Sequence, residues 1–167
     1  MIITTALVIF MILVFILLFL FIRTIDHRWW LTLLVSIILT PMVYFYMFYP
    51  FLNIVSSYHH QKHFSASSWT EQPALRFEMI EHTITSDTLI GLDKKEIKGL
   101  LGKYEWLSWD ATNNEHNPNK WNYGTGIKPG AFNDKTSNLE ITFKNDTVSH
   151  LNAYDTKINF DDKDETP

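Results

Sequence analysis

The 167-residue chain predicts an α+β protein: an N-terminal transmembrane helical hairpin, then a small domain of two helices packed on a three- to four-stranded antiparallel sheet. Three observations carry this prediction. Two long apolar runs open the chain, two stretches with apolar residues at helical spacing follow, and beyond them the apolar period falls to two.

Residues 2–22 carry no charge and nothing more polar than Thr4 and Thr5, a length that lets a helix cross a hydrocarbon core about 30 Å thick. A second run, residues 29–52, begins after only Arg23, Thr24, Ile25, Asp26, His27 and Arg28. So short a link forces two helices to lie antiparallel. A cleaved secretory signal would need positive charge ahead of a shorter apolar core and a small-residue cleavage site, and the first run has none of these. The mean hydropathy of -0.05 resembles that of a water-soluble protein only because two greasy segments are averaged with a polar remainder.

Trp29 and Trp30 at one end of the second run, and Tyr44, Phe45, Tyr46, Phe48, Tyr49 and Phe51 at the other, match the aromatic belts of the two headgroup levels. Pro41 removes a backbone donor and predicts a kink. Thr32, Ser36 and Thr40 recur every fourth residue, so they form a membrane packing face that admits another helix, either the first span or a partner's. No Asp, Glu, Lys, Arg or His lies in either run, and ion or proton passage needs such a way-station. The hairpin therefore reads as an anchor in membrane lipid. Arg23 and Arg28 outweigh Asp26 in the link, which places the link in the cytoplasm. The C-terminal domain is then expected on the periplasmic side of a cell inner membrane. The absence of cysteine excludes disulfides and suits an oxidising compartment.

Residues 53–69 read as a juxtamembrane linker rich in small polar residues. It holds His59, His60 and His63. If the second helix ran on, His59 and His63 would share a face and could chelate a divalent ion. No Asp, Glu or Cys nearby completes the set, so exposed histidines beside the headgroups are the favoured reading, with no metal and no other cofactor.

The folded domain is expected over residues 70–156. Thr70, followed by Glu71, Gln72 and Pro73, resembles a helix start. Leu75, Phe77, Met79 and Ile80 then supply an apolar face, with Glu78 and Glu81 toward water. Asp93 and Glu96 have the spacing of a capping box, Ile97, Leu100 and Leu101 form a buried stripe, and Gly102 supplies the stop. Residues 111–120 are turn chemistry throughout. Trp121 to Tyr123 reads as a strand and residues 124–138 as a loop. Leu139, Ile141 and Phe143 alternate with polar residues, and Asn145-Asp146 turns the chain into a last strand ending near Tyr154. Residues 157–167 read as an acidic, solvated tail.

Leu89-Ile90-Gly91-Leu92-Asp93, Glu96-Ile97, Leu100-Leu101-Gly102, Trp121-x-Tyr123-x-x-Gly126 and Leu139-x-Ile141-x-Phe143-x-Asn145-Asp146-x-Val148 together resemble the SmpA/OmlA (BamE-like) domain family over residues 76–154. The resemblance implies a small extracytoplasmic binding domain, and inhibitory proteins of a related fold bind through their sheet face. The chain departs from the family pattern with Leu92 in place of Met, Asp93 in place of Thr and Tyr104 in place of Pro. Two apolar spans stand where the family carries a lipid-bearing cysteine.

Catalysis finds no footing: there is no Gly-rich phosphate loop and no two-histidine zinc helix, and His82, His116 and His150 stand alone in sequence. No catalytic residue and no small-molecule substrate is therefore expected. Beyond residue 52, 12 Lys and Arg face 17 Asp and Glu, a balance that repels nucleic acid. Trp106, Trp109, Trp121 and Tyr123 are the candidate protein-binding residues, because aromatic side chains dominate interface hot spots. Strand alternation is expected to split Trp121 and Tyr123, one inward and one outward. The chain thus reads as a non-enzymatic, membrane-anchored interaction module of the bacterial cell envelope whose partner is another envelope protein. The alternative is an immunity or inhibitor protein that neutralises an effector toxin in the same compartment.

Overall fold

The computed structural model describes residues 1–158; of the expected acidic tail, residues 159–167 lie outside them. The described residues form two compact units, 1–60 with 129–132, and 61–128 with 133–158.

In the first unit, helix α1 spans Thr5–Ile25, with the Thr4 hydroxyl accepting the Leu7 N–H at 3.3 Å. Helix α2 (Trp29–Val43) runs through a π-helical turn, Tyr44–Phe48, into α3 (Tyr49–Val55). Both spans, Thr5–Ile25 and Trp29–Val55, are long and apolar enough to cross a membrane. The second ends three residues beyond its expected limit of 52. The helical ladder departs from α geometry at residues 44–48 rather than at Pro41, where a kink was expected. Pro50 supplies the reason: it has no N–H, and in a regular helix its ring strikes the carbonyl four residues back. A wider turn ahead of it, with the Tyr49 N–H bonded to Tyr44 O, relieves that clash.

Thr32, Ser36 and Thr40 are buried in this unit. Their hydroxyls donate to the carbonyls of Arg28, Thr32 and Ser36 at 3.1, 2.7 and 2.7 Å, so the face is small and its polar atoms are satisfied within the helix. Leu7, Val14 and Tyr44 make the core of the hairpin.

In the second unit, α4 (Ala66–Glu71) starts at Ser65, whose hydroxyl accepts the Ser68 N–H. A 3-10 turn, Pro73–Leu75, separates it from α5 (Phe77–Thr85). The single helix expected from Thr70 is thus two helices. Pro73 drives Gln72 out of helical geometry, to φ -127 and ψ 64. Glu78, expected in water, is mostly covered: its carboxylate pairs with Lys62 at 2.6 Å, and its carbonyl accepts the Lys62 N–H at 2.7 Å. Helix α6 (Lys94–Leu101) carries both arms of the capping box, each at 2.8 Å, and ends at Gly102 with φ +82.

Four strands follow, β1 (Trp106–Asp110), β2 (Glu115–Gly126), β3 (Lys135–Lys144) and β4 (Thr147–Lys157), paired antiparallel in chain order. Only residues 111–114 of the stretch assigned to turns are a turn, with Asn114 at φ +54. Residues 115–120 extend β2 because β1 offers them a partner that the sequence does not reveal. The expected loop over 124–138 shrinks to 127–134 for the same reason, as β2 and β3 pair to both ends of it. Asn145 and Asp146, at φ +53 and +64, form the two-residue turn that matches strand twist.

Trp69, Met79, Leu89, Ile97, Trp121, Tyr123, Leu139 and Ile141 lead the core between the helices and the sheet. Trp121 and Tyr123 are both in it. The expected split is corrected: residues two apart on a strand share a face, so alternation carries both rings inward. Arg76 binds the helical layer to the sheet. Its guanidinium donates to Trp69 O, Glu105 Oε1 and Gly124 O at 2.8, 2.7 and 2.9 Å. Gly126, at φ +97, lets the 3-10 turn approach so closely that a Cβ there would lie 2.4 Å from Ala74 O.

Candidate functional site

The face of the sheet turned away from the helices holds the remaining two candidate tryptophans. Trp106 and Trp109 stand three residues apart, so regular alternation would place them on opposite faces. The register breaks between them. Trp106 opposes Asn122 and Leu107 opposes Trp121, but Trp109 opposes His116. This bulge re-aims the strand, and both indoles line one open hollow of about 490 Å³ with Leu107, Ser108, Glu140, Asn152 and Tyr154. Trp106 is 39 % exposed and Trp109 56 %. The Trp109 ring meets the edge of His116 with centroids 5.2 Å apart.

Beneath the indoles runs a chain of hydrogen bonds across all four strands. The Tyr154 hydroxyl donates to Asn122 Oδ1 at 2.9 Å, and Asn122 Nδ2 donates to Ser108 Oγ at 2.8 Å. Ser108 Oγ in turn donates to Glu140 Oε2 at 2.5 Å, and Lys120 Nζ reaches Glu140 Oε1 at 3.3 Å. Asn122 is fully buried, so its amide depends on these partners, and a satisfied network of this kind rigidifies the surface that it underlies. Burial raises the Tyr154 pKa, opposed by the hydrogen bond from Trp106 and reinforced by the Glu140 charge. The phenol therefore keeps its proton and its role as donor at neutral pH. At the end of β1, the Thr112 N–H donates to Asp110 Oδ1 at 2.9 Å and Asn113 Nδ2 to Oδ2 at 2.9 Å. The Thr112 N–H above all holds this carboxylate below its ordinary range, fixing the turn beside Trp109.

Chemically the hollow offers exposed indole surface over a hydrogen-bonded network. The Ser108 hydroxyl is spent as a donor to a carboxylate, and Tyr154, Asn122, Ser108, Glu140 and Lys120 bond to one another. Sequence reasoning named Trp106 and Trp109 but missed Ser108, Asn122, Glu140, Asn152 and Tyr154. A signal for two of them was present: Asn122 and Glu140 fall between the core-facing residues of β2 and β3.

The histidines separate. His60 packs in the first unit, with Nε2 3.0 Å from the Tyr44 hydroxyl and its ring stacked 3.9 Å from Tyr49. Also in the first unit, His59 Nδ1 bonds Ser57 O at 3.0 Å, whereas in the second unit His63 Nδ1 lies 2.9 Å from His82 Nε2. Residues 57–65 are not helical, so the helical face that was to unite His59 and His63 does not form. Among the described residues no three His, Cys, Asp or Glu side chains gather as a metal cluster.

Comparison of the chain with protein-family models, with curated proteins and with solved structures finds no match.

Proposed function

We propose that the protein is a non-enzymatic, membrane-anchored interaction module of the bacterial cell envelope, with an SmpA/OmlA-like domain that engages another envelope protein. The apolar hairpin tethers it to the inner membrane, and the domain works on the periplasmic side. One observation carries the reading: a β-bulge brings Trp106 and Trp109, both partly exposed, to one hollow on a sheet face crossed by a hydrogen-bonded network. Large aromatic surface on a rigid support is what an interface hot spot needs.

The test is a photo-crosslinking amino acid at Trp109 in native membranes, with the same probe at Lys95 as control. A partner band specific to position 109 is expected, and it should vanish in competition with the unlabelled wild type. Trp109→Ala should weaken capture by about 2 kcal/mol, roughly 30-fold, while thermal unfolding stays nearly unchanged. No band at 109, or a large loss of stability in Trp109→Ala, would overturn the proposal. A secreted toxin in the band would make the chain an immunity protein.

A further inference from the structure

The most exposed large apolar side chain among the described residues is Phe132, at 94 %. It belongs to Pro129–Phe132, a short stretch of the β2–β3 connection that clusters with the apolar hairpin. The link is specific. The Ala131 N–H donates to Ile54 O at 2.9 Å, in the last turn of α3, where a carbonyl has no partner within the helix. Satisfying it matters most where water is scarce. The same helix end presents Phe51, Ile54 and Val55, all more than half exposed, as part of the apolar belt of the second span. The tip is built rather than slack: Asn133 Nδ2 donates to Lys128 O at 2.8 Å across its base, and Gly130 turns the chain at φ +126.

We propose that Pro129–Phe132 is a third membrane contact, which buries the Phe132 ring in the lipid bilayer beside the exit of the second span. This inference rests on the reading of the hairpin as a membrane anchor. The occupant is lipid because the exposed ring adjoins Ala131, whose N–H bonds the end of a helix with exposed apolar side chains, and that helix faces lipid on the anchor reading. Interfacial positions of this kind favour aromatic rings, and the bond to Ile54 holds the tip at that level.

The chain has no cysteine, so Phe132→Cys offers a unique site for a nitroxide label, and Lys95→Cys provides a solvent-exposed control. The full chain is reconstituted in vesicles of phosphatidylethanolamine and phosphatidylglycerol, and collision rates are measured with oxygen, which concentrates in lipid, and with a water-soluble nickel chelate. The ratio of oxygen to nickel accessibility should be higher at 132 than at 95. A nickel-favoured label at 132 would overturn the proposal. Shielding from both reagents would overturn it too, since a protein would then cover the ring. Carbonate washing of the same vesicles separates the two readings. A retained chain with an aqueous label defeats the loop contact alone, and a chain released into the wash defeats the anchor on which it rests.

Discussion

Tyr123 has its phenol in the core, donating to Gly102 O at 3.1 Å. Burial raises its pKa above the usual 10.0; the Arg76 charge opposes the shift and the Glu105 charge adds to it. Tyr154 is shifted in the same direction. A tyrosine loses its charge-free form on deprotonation, so the unfolded chain releases these protons at a pH where the folded chain still holds them. Their stabilising contribution is therefore complete below about pH 10 and is lost as pH rises through the folded values. Urea midpoints should stay level through neutral pH and fall on the alkaline side. Tyr123→Phe should flatten that fall while costing about 1 kcal/mol at neutral pH for the lost hydrogen bond. An alkaline limb identical to that of the wild type would refute the assignment. At this scale the buried side chains of β3 were legible from alternation, whereas the Arg76 bonds to Glu105 and Gly124 were not. Nothing in a sequence pairs residues 29 or 48 positions apart.

The capping box was readable because both of its arms lie within four residues. The surroundings of α6 were not. Gly91 N–H bonds Val148 O at 3.0 Å, Val148 N–H bonds Leu92 O at 2.9 Å, and Lys94 N–H bonds Asp146 O at 3.2 Å, so the helix start is stitched to the β3–β4 turn. Asp93→Ala should cost about 1 kcal/mol and accelerate amide exchange over residues 94–97, with Asp93→Asn restoring most of the protection. Unaltered exchange in Asp93→Ala would show that the stitching alone holds the helix. The bulge in β1 is the contrasting case. Its effect on Trp109 depends on the register with β2, and period-two reasoning inside one strand cannot anticipate a break in it.

For the whole molecule, two apolar helices precede a polar, net anionic region along the chain, and the hairpin link carries two arginines against one aspartate. Under the proposed reading, that charge bias is expected to hold the link inside and the domain outside the cytoplasm. Lys95→Cys should be modified by a membrane-impermeant maleimide in intact spheroplasts. Modification only after lysis would reverse the proposed orientation and put the proposed interaction surface in the cytoplasm.

Composition and local spacing by themselves determined the two spans, the α6 cap, the Asn145-Asp146 turn and the alternating strand at 139–143, because each depends on hydrophobic length or on neighbours a few residues away. Only the tertiary structure decided that residues 115–120 are strand, that Trp121 and Tyr123 both face inward, that a bulge unites Trp106 with Trp109, and that Ala131 caps the carbonyl of Ile54. Pairing across distant segments chose these outcomes, since a backbone donor or acceptor removed from water must find a partner wherever the fold supplies one.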